Sequence, residues 1–165
     1  DRRSKVTTDY RWGCSTGPYV PFYFGTRSPM LLQLATGRVS GYSEGQEPII
    51  YLATTVSNIA GVGVKFVFSG GHGIASYTRW FDSIEQLEQV DWQAVDARIW
   101  SDTVEDPDRQ RRKQAEFLVY QKLDWNLIMA IGVLNQPAKS RVDCVLNEWP
   151  KPMRKPVLIR PEWYY

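Results

Sequence analysis

The chain has 165 residues and a formal net charge of +2, with 43% apolar and 23% charged residues, a composition that indicates one globular domain and excludes a wholly disordered chain. Two cysteines and one histidine, His72, are too few for a disulfide framework or a metal centre, so we expect neither. The longest apolar runs are well short of the roughly 18 residues that span a bilayer, so we expect a soluble, cytoplasmic protein without a membrane segment.

The first part of the chain predicts an arm, a strand and a helix. Residues 1–18 are polar and lack a period, which indicates an irregular basic arm. The apolar run over residues 19–24 predicts a strand. Ser28 before Pro29 is a typical helix start and Gly37 a typical helix end, so we expect a short helix between them.

The next part of the chain predicts two strands, a turn and two helices. Apolar runs over residues 49–53 and 64–68 predict the strands. The sequence SGGHG at residues 69–73 predicts a turn, and residues 74–81 predict a short helix after it. Ser83, which is followed by acidic residues, predicts the start of a further helix.

The last part of the chain predicts a long loop and a second group of strands and helices. Residues 91–108 are acidic and poorly periodic, which predicts an ordered loop of the kind that is often functional. Asp106 as an N-cap and Pro107 as the first helical residue predict a helix that leads into a strand over residues 115–120. A strand, a helix and a strand follow, over residues 128–133, 138–149 and 156–160. Because strands and helices do not alternate regularly, the sequence favours an α+β fold over a doubly wound sheet.

Glu116 is the strongest candidate for a catalytic residue. The sequence contains no phosphate-binding glycine loop, dinucleotide fingerprint or serine nucleophile motif. Glu116, however, lies inside the apolar run of residues 115–120, where burial of its charge is costly unless the carboxylate is paired or takes part in chemistry. The alternative is that the alternation of the strand places Glu116 on the solvent face of an edge strand.

Charged and aromatic residues indicate phosphate and base recognition. Residues 1–40 carry a net charge of +4, residues 41–108 of −8 and residues 109–165 of +6. Basic ends that meet in the fold would form a surface suited to nucleotides or nucleic acid, although ordinary solvated charge gives the same pattern. Tyr77 lies near Arg79 along the chain, and such rings can stack on a base, although core packing is the commoner role.

Three segments agree in order and spacing with one known family: VPFYF at residues 20–24 with RSPML at 27–31, DPDRQRR at 106–112, and KQAEFLVY at 113–120. Together they resemble the DarT family, the single-stranded-DNA ADP-ribosyltransferase toxins of DarTG toxin–antitoxin pairs. Weaker matches at residues 41–43, 75–78 and 163–165 extend the resemblance over nearly the whole chain. The resemblance implies one ADP-ribosyltransferase domain over residues 1–165, with an α+β fold whose split mixed sheet binds NAD+ in a cleft. It also implies transfer of ADP-ribose from NAD+ to a thymine base of single-stranded DNA.

The resemblance assigns roles to individual residues. Glu116 matches the family's catalytic glutamate, and Arg3, or failing that Arg2, matches a second catalytic residue. Four residues are expected to line the nicotinamide and ribose end of the NAD+ site, with core packing as the alternative: Tyr23, Phe24, Ser28 and Met30. Six residues are expected to contact DNA, with a solvated charge run as the alternative for the arginines: His72, Tyr77, Arg79, Arg109, Arg111 and Arg112.

The resemblance also implies partners and leaves alternatives open. We expect a monomer that binds single-stranded DNA, uses NAD+ as a substrate without a metal, and is restrained by a macrodomain antitoxin similar to DarG. The family normally begins with a segment that holds a His-x-Thr-His-type motif for the NAD+ ribose, and the sequence from Asp1 onward contains none. We therefore expect either an active transferase or a non-catalytic DNA-binding domain on the same fold. A third interpretation keeps the chemistry but changes the acceptor to guanine, RNA or protein.

Overall fold

The structure is a computed structural model and describes residues 19–73 and 75–165. These residues fold as two compact units, each with its own β-sheet. The first unit combines the described residues up to Ser28 with Ala60–Leu123, and the second combines Pro29–Ile59 with Asp124–Tyr165. The predicted basic arm, with Arg2 and Arg3, lies outside the described residues. The single domain expected over residues 1–165 stays a prediction.

Within the described residues, seven strands are formed: β1 (Tyr19–Tyr23), β2 (Tyr51–Ala53), β3 (Phe66–Ser69), β4 (Trp80–Phe81), β5 (Glu116–Tyr120), β6 (Ala130–Val133) and β7 (Val157–Ile159). The α-helices of the same residues are α1 (Pro29–Ala35), α2 (Val56–Gly61), α3 (Trp92–Asp96), α4 (Arg109–Lys113) and α5 (Gln136–Asn147). Short 3-10 helices lie at Ile84–Gln89, Trp125–Leu127, Lys151–Met153 and Pro161–Trp163. None of the described helices is long and apolar enough to cross a bilayer.

The sheet of the first unit has four antiparallel strands in the order β1-β5-β3-β4. β5 is therefore an interior strand, paired with β1 on one side and with β3 on the other. Its apolar residues are buried, since Phe117, Leu118 and Val119 are each at most 2% exposed. Glu116, the first residue of β5, lies directly opposite Tyr23, the last residue of β1.

Aromatic rings fill the core of the first unit. Phe24, directly after β1, makes edge-to-face contacts with Phe68, Trp92 and Phe117. Phe68 is fully buried and also packs against Phe81 of β4. Such ring pairs contribute about 0.5–1.5 kcal/mol each beyond the area that they bury. The cluster thus joins the sheet to α3 and fixes the end of β1 that precedes the candidate site.

The sheet of the second unit has three strands in the order β2-β6-β7, with β2 antiparallel and β7 parallel to β6. α5 connects the two parallel strands and packs against them, as a parallel pair requires. The core that results consists of Ile131, Val133, Ala138, Leu146 and Val157. Asn135 is the N-cap of α5, and its side chain accepts a hydrogen bond from the main-chain N–H of Ala138 at 2.9 Å. Near the end of the chain, the buried Tyr164 hydroxyl donates to the Ile49 carbonyl at 2.7 Å.

Most of the predicted elements are confirmed. The strands predicted over residues 19–24, 49–53, 64–68, 115–120, 128–133 and 156–160 are found with ends shifted by at most two residues. The helix predicted after Ser28 is α1, and Gly37 follows it with a φ of 66°, as expected for a helix end. The mixture of one antiparallel and one mixed sheet with interspersed helices confirms the α+β class.

The helix predicted over residues 74–81 is wrong. Trp80 and Phe81 form β4 instead, because pairing with β3 buries both rings, which are at most 9% exposed. The helix predicted from Ser83 is present only as a 3-10 helix over Ile84–Gln89. Tertiary burial of aromatic residues therefore outweighs the local pattern in this stretch.

The region before Glu116 also differs from the prediction. The loop expected over residues 91–108 contains α3, which Asp91 caps by accepting a hydrogen bond from the main-chain N–H of Ala94. The next helix, α4, begins at Arg109 with Asp108 at the N-cap, rather than after Asp106. The Asp106 carboxylate pairs with arginine side chains of α4 instead of capping the helix.

Candidate active site

Glu116 is a buried carboxylate at the start of an interior strand. Its side chain is only 6% exposed. The alternative of a solvent-facing position on an edge strand is therefore wrong, because β5 is covered by β1 and β3 on its two sides. A buried carboxylate outside a surface ion-pair network is typical of a functional position.

Ser69 connects the main chain of Glu116 to the neighbouring glycine turn. The Ser69 side chain is fully buried at the end of β3. Its hydroxyl accepts a hydrogen bond from the Glu116 N–H at 3.1 Å and donates one to the Gly71 carbonyl at 2.6 Å. One hydroxyl therefore satisfies two buried main-chain groups and fixes the turn against β5.

The turn places the imidazole of His72 beside the carboxylate. His72 Nδ1 lies 3.7 Å from Glu116 Oε1, which is longer than a hydrogen bond but within the range of an ion pair if the ring is protonated. Burial lowers the pKa of His72 from its ordinary value of 6.5, so the ring is mainly neutral at neutral pH. A neutral imidazole has one N–H donor and one acceptor nitrogen, so beside a buried carboxylate it can donate a hydrogen bond to a substrate or accept one from it.

Tyr23 completes this group of polar side chains. It lies opposite Glu116 in the β1–β5 pairing, and side chains at directly paired positions lie on the same face of the sheet. Burial, followed by the negative charge of Glu116, raises the pKa of the Tyr23 hydroxyl above its ordinary value of 10.0. The phenol is therefore a neutral donor at every physiological pH. The structure thus brings together Tyr23, His72 and Glu116.

The other three residues expected to bind NAD+ have different environments. Phe24 is part of the ring cluster of the first unit. Ser28 is half-buried and is the last residue of the first of the two chain segments that form that unit. Met30 is 59% exposed on α1 of the second unit. A role of these three side chains in NAD+ binding stays a prediction.

The arginines of α4 are held by carboxylates of the same chain. Arg111 is only 18% exposed and forms a bidentate pair with Asp108, with Nε–Oδ1 at 2.7 Å and Nη2–Oδ2 at 2.6 Å. Arg112 bonds to Asp91 at 2.6 Å and to Asp106. Arg109 also bonds to Asp106, at 3.0 Å. DNA contacts of these arginines stay a prediction. What the structure shows is that the three side chains bond to carboxylates of the acidic stretch before Glu116 and thereby hold it in place.

Two of the predicted DNA contacts lie on the surface of the first unit. Tyr77 is 68% exposed, and its ring lies against the Arg111 guanidinium, whose Cζ is 4.9 Å from the ring centroid. Arg79 is exposed, lies 5.3 Å from the centroid of the Phe81 ring and bonds to Gln89 at 3.4 Å. An exposed aromatic ring beside a cationic group is suited to stacking on an unpaired base.

Lys113 is a buried structural residue that the sequence pattern does not indicate. It is 5% exposed, and its ammonium donates to the carbonyls of Val95 at 2.5 Å and Ala97 at 3.1 Å. Burial lowers the pKa of Lys113 from 10.5. These bonds satisfy carbonyls at the end of α3 and hold it against α4. A lysine within an RQRRK run gives no local signal that it is the buried member of the run.

No metal-binding arrangement is found in this part of the chain. Among residues 19–73 and 75–165, no group of three or more His, Cys, Asp or Glu side chains could hold a metal ion. The polar side chains next to Glu116 are the Ser69 hydroxyl, the His72 imidazole and the Tyr23 phenol. Such groups can orient a polar organic substrate around a carboxylate.

Comparison with known proteins identifies relatives of this chain. All 165 residues match the family described as "ssDNA thymidine ADP-ribosyltransferase, DarT". A protein of Thermus sp. strain 2.9 named DNA ADP-ribosyl transferase is 39% identical over 165 residues, which cover 100% of this chain and 77% of the relative. A protein of the same name from Mycobacterium tuberculosis is 34% identical over 167 residues, which cover 99% and 71%.

Solved structures give the same result for the fold. The structure of Thermus sp. 2.9 DarT in complex with NAD+ matches with a TM-score of 0.85 and 41% identity, and covers 90% of this chain and 73% of that chain. The same protein in complex with ADP-ribosylated single-stranded DNA matches with a TM-score of 0.85 over 90% of this chain and 69% of that chain. The ADP-ribosyltransferase fold expected from the sequence is therefore confirmed, and the chain belongs to the DarT family of single-stranded-DNA thymidine ADP-ribosyltransferases.

Proposed function

We propose that this chain transfers ADP-ribose from NAD+ to a thymine base of single-stranded DNA, and that this activity is toxic to the cell. The proposal is supported by membership of the DarT family over all 165 residues. The observation that carries it is the geometry of Glu116, a carboxylate that is 6% exposed beside the His72 imidazole and opposite the Tyr23 phenol. A buried carboxylate flanked by neutral polar groups is suited to chemistry that develops positive charge.

The proposed role of Glu116 follows from the bond that must break. When the bond between the ribose carbon and the nicotinamide nitrogen is cleaved, its electron pair leaves with nicotinamide, and the ribose acquires oxocarbenium character. We propose that the Glu116 carboxylate stabilises this positive charge, and the low exposure of its side chain supports a stronger interaction than in water. The carboxylate thereby favours the transition state over the substrate.

The acceptor requires removal of one proton. Within DNA, the base thymine has a single N–H group, at N3, because N1 is bonded to the sugar. Its nitrogen forms the new bond to the ribose carbon, and we propose that its proton passes to Glu116. His72 is the adjacent polar group, and its lowered pKa leaves the ring neutral to orient the base by hydrogen bonding.

We assign the remaining expected residues to NAD+ binding, to DNA binding or, for Arg3, to the reaction. Tyr23, Phe24, Ser28 and Met30 are proposed to line the NAD+ site, and Arg3 to serve the reaction together with Glu116. His72, Tyr77 and Arg79 are proposed to contact DNA, supported by the exposure of Tyr77 and Arg79. Arg109 and Arg112 already bond to carboxylates, and we propose that their remaining N–H groups contact DNA phosphate. We do not assign Arg111 to DNA, because Asp108 and Thr78 engage its side-chain nitrogens.

Intact mass of DNA after incubation with the chain and NAD+ tests the proposal. We expect a thymine-containing oligonucleotide to gain one ADP-ribosyl group, and Glu116→Gln to lower the rate about 100-fold or more. Glu148→Gln, at an exposed carboxylate, is the matched control and is expected to retain activity. Modification of a thymine-free oligonucleotide or an RNA instead would identify another acceptor. DNA binding without any modification would contradict the enzymatic proposal and support a binding domain.

We further propose that the chain acts as a cytoplasmic monomer restrained by a macrodomain antitoxin. The support is membership of the DarT family, whose resemblance implies a toxin that is restrained by an antitoxin. Expression in a bacterial host is expected to arrest growth, and co-expression of the macrodomain partner to restore it. Light scattering of the purified chain checks the monomer, and a dimer would contradict that part of the proposal.

A further inference from the structure

Arg111 is bound on three sides within the first unit. Two of its nitrogens hold Asp108 in a bidentate pair, and its guanidinium lies over the Tyr77 ring. The Tyr77 hydroxyl in turn lies 3.4 Å from Asp108 Oδ1. A planar guanidinium fixed by a fork of hydrogen bonds and an aromatic ring has one orientation, in contrast to a solvated surface arginine.

The third side-chain nitrogen of Arg111 is connected to His72 through hydrogen bonds. Arg111 Nη1 donates to the Thr78 hydroxyl at 3.2 Å, and this hydroxyl donates to the His72 carbonyl at 2.7 Å. The Arg111 carbonyl also accepts a hydrogen bond from the His72 N–H at 2.8 Å. Both main-chain polar groups of His72 are therefore connected to Arg111, one directly and one through the hydroxyl of Thr78, a residue that is 8% exposed.

The residue before His72 is adapted to this contact. A Cβ atom at Gly71 would overlap the guanidinium of Arg111 and lie 3.0 Å from the Arg111 carbonyl oxygen. The absence of a side chain at Gly71 thus lets the guanidinium pack directly on the main chain of the turn. The Ser69 hydroxyl, at the start of the turn, donates a hydrogen bond to the Gly71 carbonyl.

We propose that Arg111, acting through Thr78, is a positioning residue that holds the turn at residues 69–73 so that the His72 imidazole faces Glu116, rather than a direct contact to DNA phosphate. The inference rests on the proposed function for its catalytic consequence and on geometry alone for its structural part. Without this hold, the imidazole 3.7 Å from Glu116 loses its fixed orientation. Small displacements of that kind affect turnover more than substrate binding.

Kinetics with saturating DNA separate a positioning residue from a phosphate contact. We expect Arg111→Lys and Thr78→Val to lower kcat about tenfold, which corresponds to the loss of one buried hydrogen bond, with the Kd for DNA unchanged. Thr78→Ser keeps the hydroxyl and is expected to restore most of the activity. The salt dependence of DNA binding is also expected to stay the same. A weaker Kd, a salt slope reduced by about 1 and an unchanged kcat for Arg111→Lys would overturn the proposal in favour of a phosphate contact.

A second readout does not depend on catalysis. His72 is the only histidine of the chain, so its imidazole proton signals in NMR are assigned without ambiguity. We expect Arg111→Lys and Thr78→Val to move the His72 pKa up toward 6.5 because the ring becomes more hydrated, while Thr78→Ser leaves it in place. An unchanged titration in both variants, with the fold intact by circular dichroism, would overturn the positioning role. If the chain shows no turnover at all, the proposed function fails and the NMR result still decides this inference.

Discussion

The hydroxyl of Ser69 accepts a hydrogen bond from the main-chain N–H of Glu116 at 3.1 Å in a fully buried position at the end of β3. At this point the β3–β5 pairing has ended at Phe68 and Phe117, so a side chain replaces the main-chain carbonyl that would continue the ladder. Because the same hydroxyl bonds to Gly71, the strand that carries the carboxylate and the turn that carries the imidazole are held by one atom.

Replacement of Ser69 by alanine is therefore expected to destabilise the protein. The Glu116 N–H and the Gly71 carbonyl lose their common partner in a buried environment, which costs about 1–3 kcal/mol in the free energy of unfolding. Urea denaturation measures the effect. Ser101→Ala, at an exposed position, is the control and is expected to change the value by less than about 0.5 kcal/mol. Equal effects of the two substitutions would show that the Ser69 bonds contribute nothing.

Gly25 is expected to tolerate no side chain. A Cβ at this position would lie 2.8 Å from the Val95 carbonyl oxygen, and this carbonyl is itself fixed by the Lys113 ammonium. We expect Gly25→Ala to lower the free energy of unfolding by about 1–3 kcal/mol through overpacking. Gly61 is the matched control, since a Cβ there meets nothing within 4 Å. Gly61→Ala is expected to be neutral or slightly stabilising, and equal melting temperatures for the two variants would refute the close approach at Gly25.

The amino-acid sequence predicts most of the sheet strands and the key carboxylate because these depend on local patterns. Short apolar runs mark the strands, and Glu116 is conspicuous as a charge within such a run. The pairs Asp108–Arg111 and Asp106–Arg109 are also local, three residues apart, and the sequence contains their signal. These nearby carboxylates compete with phosphate for the N–H donors of the two arginines.

Other features depend on tertiary contacts that no local pattern contains. Ser69 lies 47 residues from Glu116, and Thr78 lies 33 residues from Arg111. Their hydroxyls become important only when the sheet brings the segments together. The helix predicted over residues 74–81 fails for the same reason, since the rings of Trp80 and Phe81 are buried by pairing with β3.

The Asp108–Arg111 pair is expected to make stability depend on pH in the acid range. The hydrogen bond from Arg111 holds the pKa of Asp108 below its ordinary value of 3.8, so the folded state binds the proton less readily than the unfolded chain. The contribution of the pair is present above pH 3.8 and is lost as the pH falls through the lower, folded-state pKa.

Asp108→Asn tests this dependence. The difference in the free energy of unfolding between the native chain and Asp108→Asn is expected to be constant near neutral pH and to shrink below about pH 4. Asp143→Asn, which removes a partly exposed pair with Lys139, is the control and is expected to change stability by less than about 1 kcal/mol. A difference that does not vary between pH 6 and pH 3 would exclude a stabilising charge on Asp108.

The free energy of unfolding is also expected to depend on pH through His72, at higher pH. The sign of this dependence shows which of two opposing effects on the His72 pKa is larger. Burial disfavours the charged imidazole and lowers the His72 pKa, whereas the Glu116 carboxylate 3.7 Å away favours the charged form. Burial is the larger effect, so the unfolded chain binds the proton more readily. Stability from this group is then present above pH 6.5 and is lost as the pH falls through the folded-state pKa.

Urea denaturation between pH 8 and pH 5 measures this dependence without interference from other histidines, because His72 is the only one. We expect the free energy of unfolding to decrease as the pH falls below 6.5, and His72→Asn to remove most of the decrease. An increase in stability over the same range would mean that attraction to Glu116 outweighs burial. The imidazole would then be cationic in the folded protein, and it would compete with the developing charge on the ribose for the same carboxylate.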